Sequence, residues 1–131
     1  MSDTATASRT SAISWFEIPT NDFDRARRFY ETILEKTLRE EPFGNARVAL
    51  FPYEQPGVGG CLDEGSPSKP SSTGTVVFIV VPDGGLDATL ARVAAAGGSI
   101  AFPKTALPPG MGWYAHVIDS EGNRVGLHAM S

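Results

Sequence analysis

Cysteine occurs once in these 131 residues, at Cys61. A single thiol excludes an intramolecular disulfide, a CxxC redox pair and a multi-cysteine zinc site, so the reducing cytoplasm is the expected compartment. Basic residues are also scarce: eleven Lys and Arg stand against fifteen Asp and Glu, a net charge of -4. That balance lacks the cationic surplus that phosphate backbones demand, and nucleic acid is not an expected partner. No apolar run approaches the roughly eighteen residues of a membrane-spanning helix, because the best one, residues 76–82, stops at a proline and an aspartate. No membrane association is expected. The opening MSDTATASRTSA is small and polar, without the apolar stretch of a secretory leader, and reads as a flexible tail over residues 1–12.

What remains is 41% apolar and 20% charged, the composition of one globular domain with a core. Its pattern runs through the chain twice. Residues 13–18 alternate as a strand, and Asp22 then offers an N-cap to a helix on which Ala26, Phe29, Tyr30, Ile33 and Leu34 form one apolar stripe. Strands are predicted over 37–40, 46–52 and 58–62. The second half repeats the order: a strand over 75–81, then a helix with Leu86, Leu90 and Val93 on one face, stopped by Gly97 and Gly98. Strands over 99–102, 112–118 and 124–130 follow, the last two joined by Asp119-Ser-Glu-Gly-Asn123, whose Gly and Asn suit a tight hairpin. Each half is therefore β-α-β-β-β. Residues 63–74, rich in Ser, Pro and Gly, link them. Neither half can bury both a sheet face and a helix stripe alone, so the two pack together or pair with copies in a second chain.

These residues resemble the vicinal oxygen chelate superfamily of glyoxalases, bleomycin-resistance proteins and extradiol dioxygenases. The segment from Asp22 to Tyr30, DFDRARRFY, is similar to that family's D-x-x-x-(S/A)-x-x-F-Y signature, and Asp119-Ser-Glu-Gly-Asn123 to its D-P-x-G-N turn. The resemblance implies an α+β fold in which two βαβββ modules form a half-closed mixed barrel around a small-molecule site. It implies a single domain over 13–130, with module one at 13–62 and module two at 75–130. In metal-using members four inward positions on the first and last strands of the modules carry His, Gln or Glu. They map here to Trp15, Gly60, Val76 or Val77, and Gly126, none of which can coordinate a metal.

Candidate site residues follow from strand alternation. Glu17, two positions after Trp15, and His128, two after Gly126, should face inward and could act as an acid/base pair or as half of a displaced metal site. The plainer reading is that they hydrogen-bond to backbone or water at the rim. Pairing Asp119 with Arg124 across the hairpin turns Trp113 inward and His116 toward the helices, though one residue of slip reverses both. Trp15, Phe51 and Trp113, with the side-chain-free Gly60 and Gly126, would leave an aromatic-walled cavity, or else the aromatics fill the barrel. Cys61 reads as a small buried hydrophobe with no neighbouring base. The glycines of residues 57–60 lack the Lys-Ser/Thr and the following helix of a phosphate loop. Residues 108–112 form a lid or simply a loop.

The expected function is therefore the binding of a small, largely apolar or aromatic molecule between the modules of a cytoplasmic homodimer, without metal. Two alternatives remain open. One is a divalent-metal-dependent, glyoxalase-like lyase or isomerase using Glu17, His128 and groups from a second chain. The other is a protein-interaction subunit.

Overall fold

The computed structural model describes residues 11–82 and 84–131, so most of the expected tail lies outside the described residues. Module one comprises β1 (Phe16–Pro19), α1 (Phe23–Leu34), β2 (Arg39–Phe43), β3 (Ala46–Leu50) and β4 (Gly60–Asp63). Module two comprises β5 (Phe78–Val80), α2 (Gly85–Ala91), β6 (Ser99–Ala106), β7 (Trp113–Ile118) and β8 (Arg124–Ala129). They form two four-stranded mixed sheets, ordered β1-β4-β3-β2 and β5-β8-β7-β6, each with one parallel pair at one edge. This is the expected βαβββ duplication, with sheets that do not close into a barrel.

The helices form where the apolar stripe requires them. Asp22 caps α1 by accepting the Arg25 amide at 3.0 Å, and Phe23, Ala26, Phe29, Tyr30, Ile33 and Leu34 are buried beneath it. In the first sheet the buried side is Ile18, Leu62 and Ala49, which lie side by side in register. In the second it is Ile79, Leu127 and Ala115. Alternation then sends Trp15, Glu17, Cys61 and Asp63 to the opposite face of the first sheet, and Phe78, Gly126, His128, Tyr114 and His116 to the opposite face of the second. Asp63, expected to begin the linker, instead ends β4 and is buried.

The modules are joined by buried and half-buried polar contacts of high sequence separation. The Tyr30 hydroxyl donates to Asp119 Oδ2 at 2.6 Å, and Asn123 Nδ2 donates to the Pro19 carbonyl at 3.0 Å. The Glu121 carboxylate accepts the amides of Asn21 and Asp22 at 2.8 and 2.7 Å and the Arg25 guanidinium at 2.7 Å. Arg92 donates to the carbonyl of Ile33, which the end of α1 leaves free, at 2.9 Å.

The β7–β8 register corrects one expectation. Ile118 pairs with Arg124 and His116 with Gly126, one residue away from the predicted alignment. The cause is Asp119, which is consumed by the turn. Its Oδ1 accepts the amides of Glu121 and Asn123 at 2.8 and 2.9 Å, and its own amide donates to the Asn123 carbonyl, so regular pairing starts one residue earlier. Trp113, expected to face inward, shares the side of buried Ala115 and Val117, and His116, expected to face the helices, lies on the open side.

Candidate ligand-binding site

Between the modules lies a cavity of about 590 Å³. Module one contributes the rings of Phe16, Phe51 and Tyr53, and module two contributes Phe78, Val80 and Val81. Phe51 is held in place by Phe16 at 5.5 Å and by an edge-on contact with Tyr30 at 5.2 Å between ring centres. Tyr53 sits edge-on to Trp15 at 5.9 Å and lies directly over Gly59, where any side chain would collide with its ring. The wall is aromatic because small neighbours admit the rings.

Phe78 also belongs to an aromatic surface on the open face of the second sheet. Its ring lies over Gly126, so close that a Cβ added there would come within 2.3 Å of it. Tyr114 and His116 approach it edge-on at 5.9 and 5.5 Å, and Phe102 stacks on Tyr114 at 5.8 Å. These groups are not core: Phe78 is 49% exposed and Phe102 42%. Neither residue was singled out from sequence. Phe78 was legible, since it follows Val76 at strand spacing just as Glu17 follows Trp15; Phe102 was not, because β6 shifts register on both sides of it.

Glu17 and His128 are not brought together. Glu17 lies beside Asp63, and its pKa is raised above the ordinary Glu value, first by burial and then by that second carboxyl. Asp63 itself accepts the Gly65 amide at 2.8 Å. The His128 ring meets the Met111 carbonyl at 2.7 Å, which fixes Nε2 as the donor. That bond pins the 107–112 loop to β8, and the loop is further closed by Leu107 donating to Gly112 and Met111 to Pro108. Trp113 stacks under Lys104 Nζ at 4.7 Å, away from the cavity. Gly60, expected among the inward positions, is in register with Phe16 and would direct a side chain into that ring, so the β4 residue on the Trp15 face is Cys61. Cys61 is buried, and burial pushes its thiol up to about 11, the opposite of an activated nucleophile.

The family's metal does not fit these residues. At the fourth position the space a ligand side chain would need is filled by the Phe78 ring, and at the first the indole of Trp15 leans on Tyr53. Among the described residues no three His, Cys, Asp or Glu side chains are grouped to hold a metal ion.

Paired βαβββ modules around an aromatic, donor-poor cavity define a class of small α+β domain whose walls, not its fold, specify its task. A family model of the Glyoxalase/Bleomycin resistance protein/Dioxygenase superfamily matches residues 12–127, and the chain belongs to that superfamily. Solved structures with the same fold include an antibiotic binding protein, TnmS3, from Streptomyces sp. CB03234, at 23% identity and a TM-score of 0.67 over 92% of this chain and 97% of that one. A glyoxalase/bleomycin resistance protein from Albidiferax ferrireducens T118 is 19% identical, with a TM-score of 0.66 over 91% and 99%. The fosfomycin resistance protein FosX from Listeria monocytogenes is 20% identical, with a TM-score of 0.61 over 92% and 94%. No curated protein matches the sequence. No helix among the described residues is long and apolar enough to cross a membrane.

Proposed function

We propose that this chain binds a small, largely aromatic or apolar molecule between its modules, without a metal. The observation that carries the reading is the cavity walled by Phe16, Phe51, Tyr53 and Phe78. Its size and lining are those of small-molecule pockets, typically about 300–1,000 Å³ and mostly apolar. The likeness in fold to a structure described as an antibiotic binding protein supports a small molecule as the ligand. The loss of donors at the family's metal positions argues against the lyase alternative, which requires a Lewis acid. The working form we infer is a cytoplasmic homodimer, a reading supported by the lone buried thiol and by the apolar residues left exposed along β2 and β5, Phe43 and Val80.

The test uses the two tryptophans. In Trp113→Phe only Trp15 reports, and titration with 1-anilinonaphthalene-8-sulfonate should quench it saturably at one site per chain. Adding Phe78→Ser removes part of the wall and should weaken binding about tenfold, since the exposed half of that ring, once covered by a ligand, contributes roughly that much. Arg39→Ser, an exposed change on the far edge of the first sheet, should leave it unchanged. Non-saturable quenching, or equal affinity in the Phe78→Ser protein, refutes the reading.

A further inference from the structure

We infer that His116 is the specificity-determining donor of the aromatic surface that continues from this cavity through Phe78, offering its Nε2–H to a ring-borne oxygen of an aromatic ligand that extends from the cavity onto the open face of the second sheet. The inference rests on the binding reading above and adds the ligand's chemistry to it. Arg124 Nη1 lies 3.1 Å from His116 Nδ1. A guanidinium can only donate, so Nδ1 must accept, and the ring proton resides on Nε2. Arg124 is itself held: its Nε donates to the Ser72 carbonyl at 3.1 Å and its amide to the Ser71 carbonyl at 3.1 Å. The tautomer is therefore set by a cation anchored to the linker between modules, making Arg124 a positioning residue.

Nε2 has no hydrogen-bond partner among the described residues, and no buried polar side-chain atom there goes unpaired, so Nε2 reaches the surface. It does so among aromatic rings, with Phe78, Tyr114 and Phe102 at 5.5, 5.9 and 6.0 Å from the imidazole centre. A flat aromatic ligand resting on Phe78 and Phe102 meets a directed donor in the Nε2–H, and that donor is strengthened by the charge held on the opposite ring nitrogen. Burial and the Arg124 charge both hold the His116 pKa below its ordinary value, so the ring stays a neutral, one-proton donor near neutral pH. Such a surface selects a carbonyl or phenolate oxygen over a plain hydrocarbon of the same outline.

Two isosteric probes test this, 2-acetylnaphthalene and 2-isopropenylnaphthalene, in which a CH2 group replaces the carbonyl oxygen. Wild-type protein should bind the ketone about tenfold more tightly, the worth of one hydrogen bond. His116→Phe should bring the ratio to about one while still binding 2-isopropenylnaphthalene, and His116→Gln, which keeps a donor, should restore part of the preference. The ¹⁵N shifts of the His116 ring should show Nδ1 bare and Nε2 protonated, and Arg124→Met should shift that balance. An unchanged ratio in His116→Phe, or a protonated Nδ1 in the wild type, overturns the role of His116 and leaves the binding reading intact. Failure of both probes to bind overturns both.

Discussion

Removing the Tyr30 hydroxyl tests how the modules are joined. In Tyr30→Phe the ring keeps its packing against Phe29 and Phe51, at 4.9 and 5.2 Å, and only the 2.6 Å bond to Asp119 Oδ2 is lost. Asp119 is buried and Oδ2 keeps one other donor, Asn123 Nδ2 at 3.1 Å. A hydrogen bond to a buried carboxylate contributes about 1.5–3 kcal/mol, and losing it leaves part of the desolvation uncompensated. For a domain of this size that corresponds to a fall in melting temperature of roughly 5–10 °C. The donor and acceptor are 89 residues apart, one in each module, so calorimetry should show one transition that moves as a unit. The alkaline limb carries a second signature. Burial, and then Asp119, raise the Tyr30 pKa above the ordinary value of 10, so the folded chain keeps a proton that the unfolded chain releases. Stability from this group is present below pH 10 and is lost as the pH climbs beyond it, and Tyr30→Phe abolishes that loss. A change under about 0.5 kcal/mol, the range of ordinary surface substitutions, or a split transition refutes the reasoning.

Two other perturbations follow from the same geometry. Gly60→Ala pushes into Phe16, which is packed against the core, and should lower stability by about 1–3 kcal/mol, whereas Gly126→Ala meets the exposed Phe78 ring, which can swing away. Urea denaturation should therefore separate the two, and equal costs would refute the distinction. Glu17, whose pKa is raised by burial and by Asp63, holds its proton longer in the folded state, so its contribution is full below pH 4.5 and is lost as the pH rises through its folded pKa. Glu17→Gln should exceed wild type in melting temperature at pH 7 and not at pH 4; the reverse order refutes the coupling to Asp63.

The architecture was legible because its signals are local. The stripe of α1, the cap at Asp22 and the alternation of each strand depend on residues within a few positions of one another, and the repeated order of elements follows from them. The site was legible only in part, because a strand's facing depends on register, and register here is set from a distance. Asp119 becomes part of the turn through bonds to Glu121 and Asn123 and through Tyr30 of the other module, and that single step exchanges the roles of Trp113 and His116. The same holds for Gly60. Counting back from the end of module one misses by one residue because β4 runs on to Asp63 rather than ending at Leu62, and the β4 residue paired with Glu17 on that face is Cys61.

The duplication extends below the level of secondary structure. In each module the parallel strand pair sets a phenylalanine directly opposite a glycine, Phe16 with Gly60 and Phe78 with Gly126, and in both the ring lies where the missing side chain would be. The two pairs have diverged in what they face. Phe16 turns to Phe51 and the core, and in module one the glycine serves packing. Phe78 turns to His116 and Tyr114 on an open surface, and in module two the glycine serves access. Gly126 is thus the position whose missing side chain leaves room for the Phe78 ring. In the binding reading proposed above, a ligand suited to this chain is one recognised by contact with that ring and by a directed hydrogen bond.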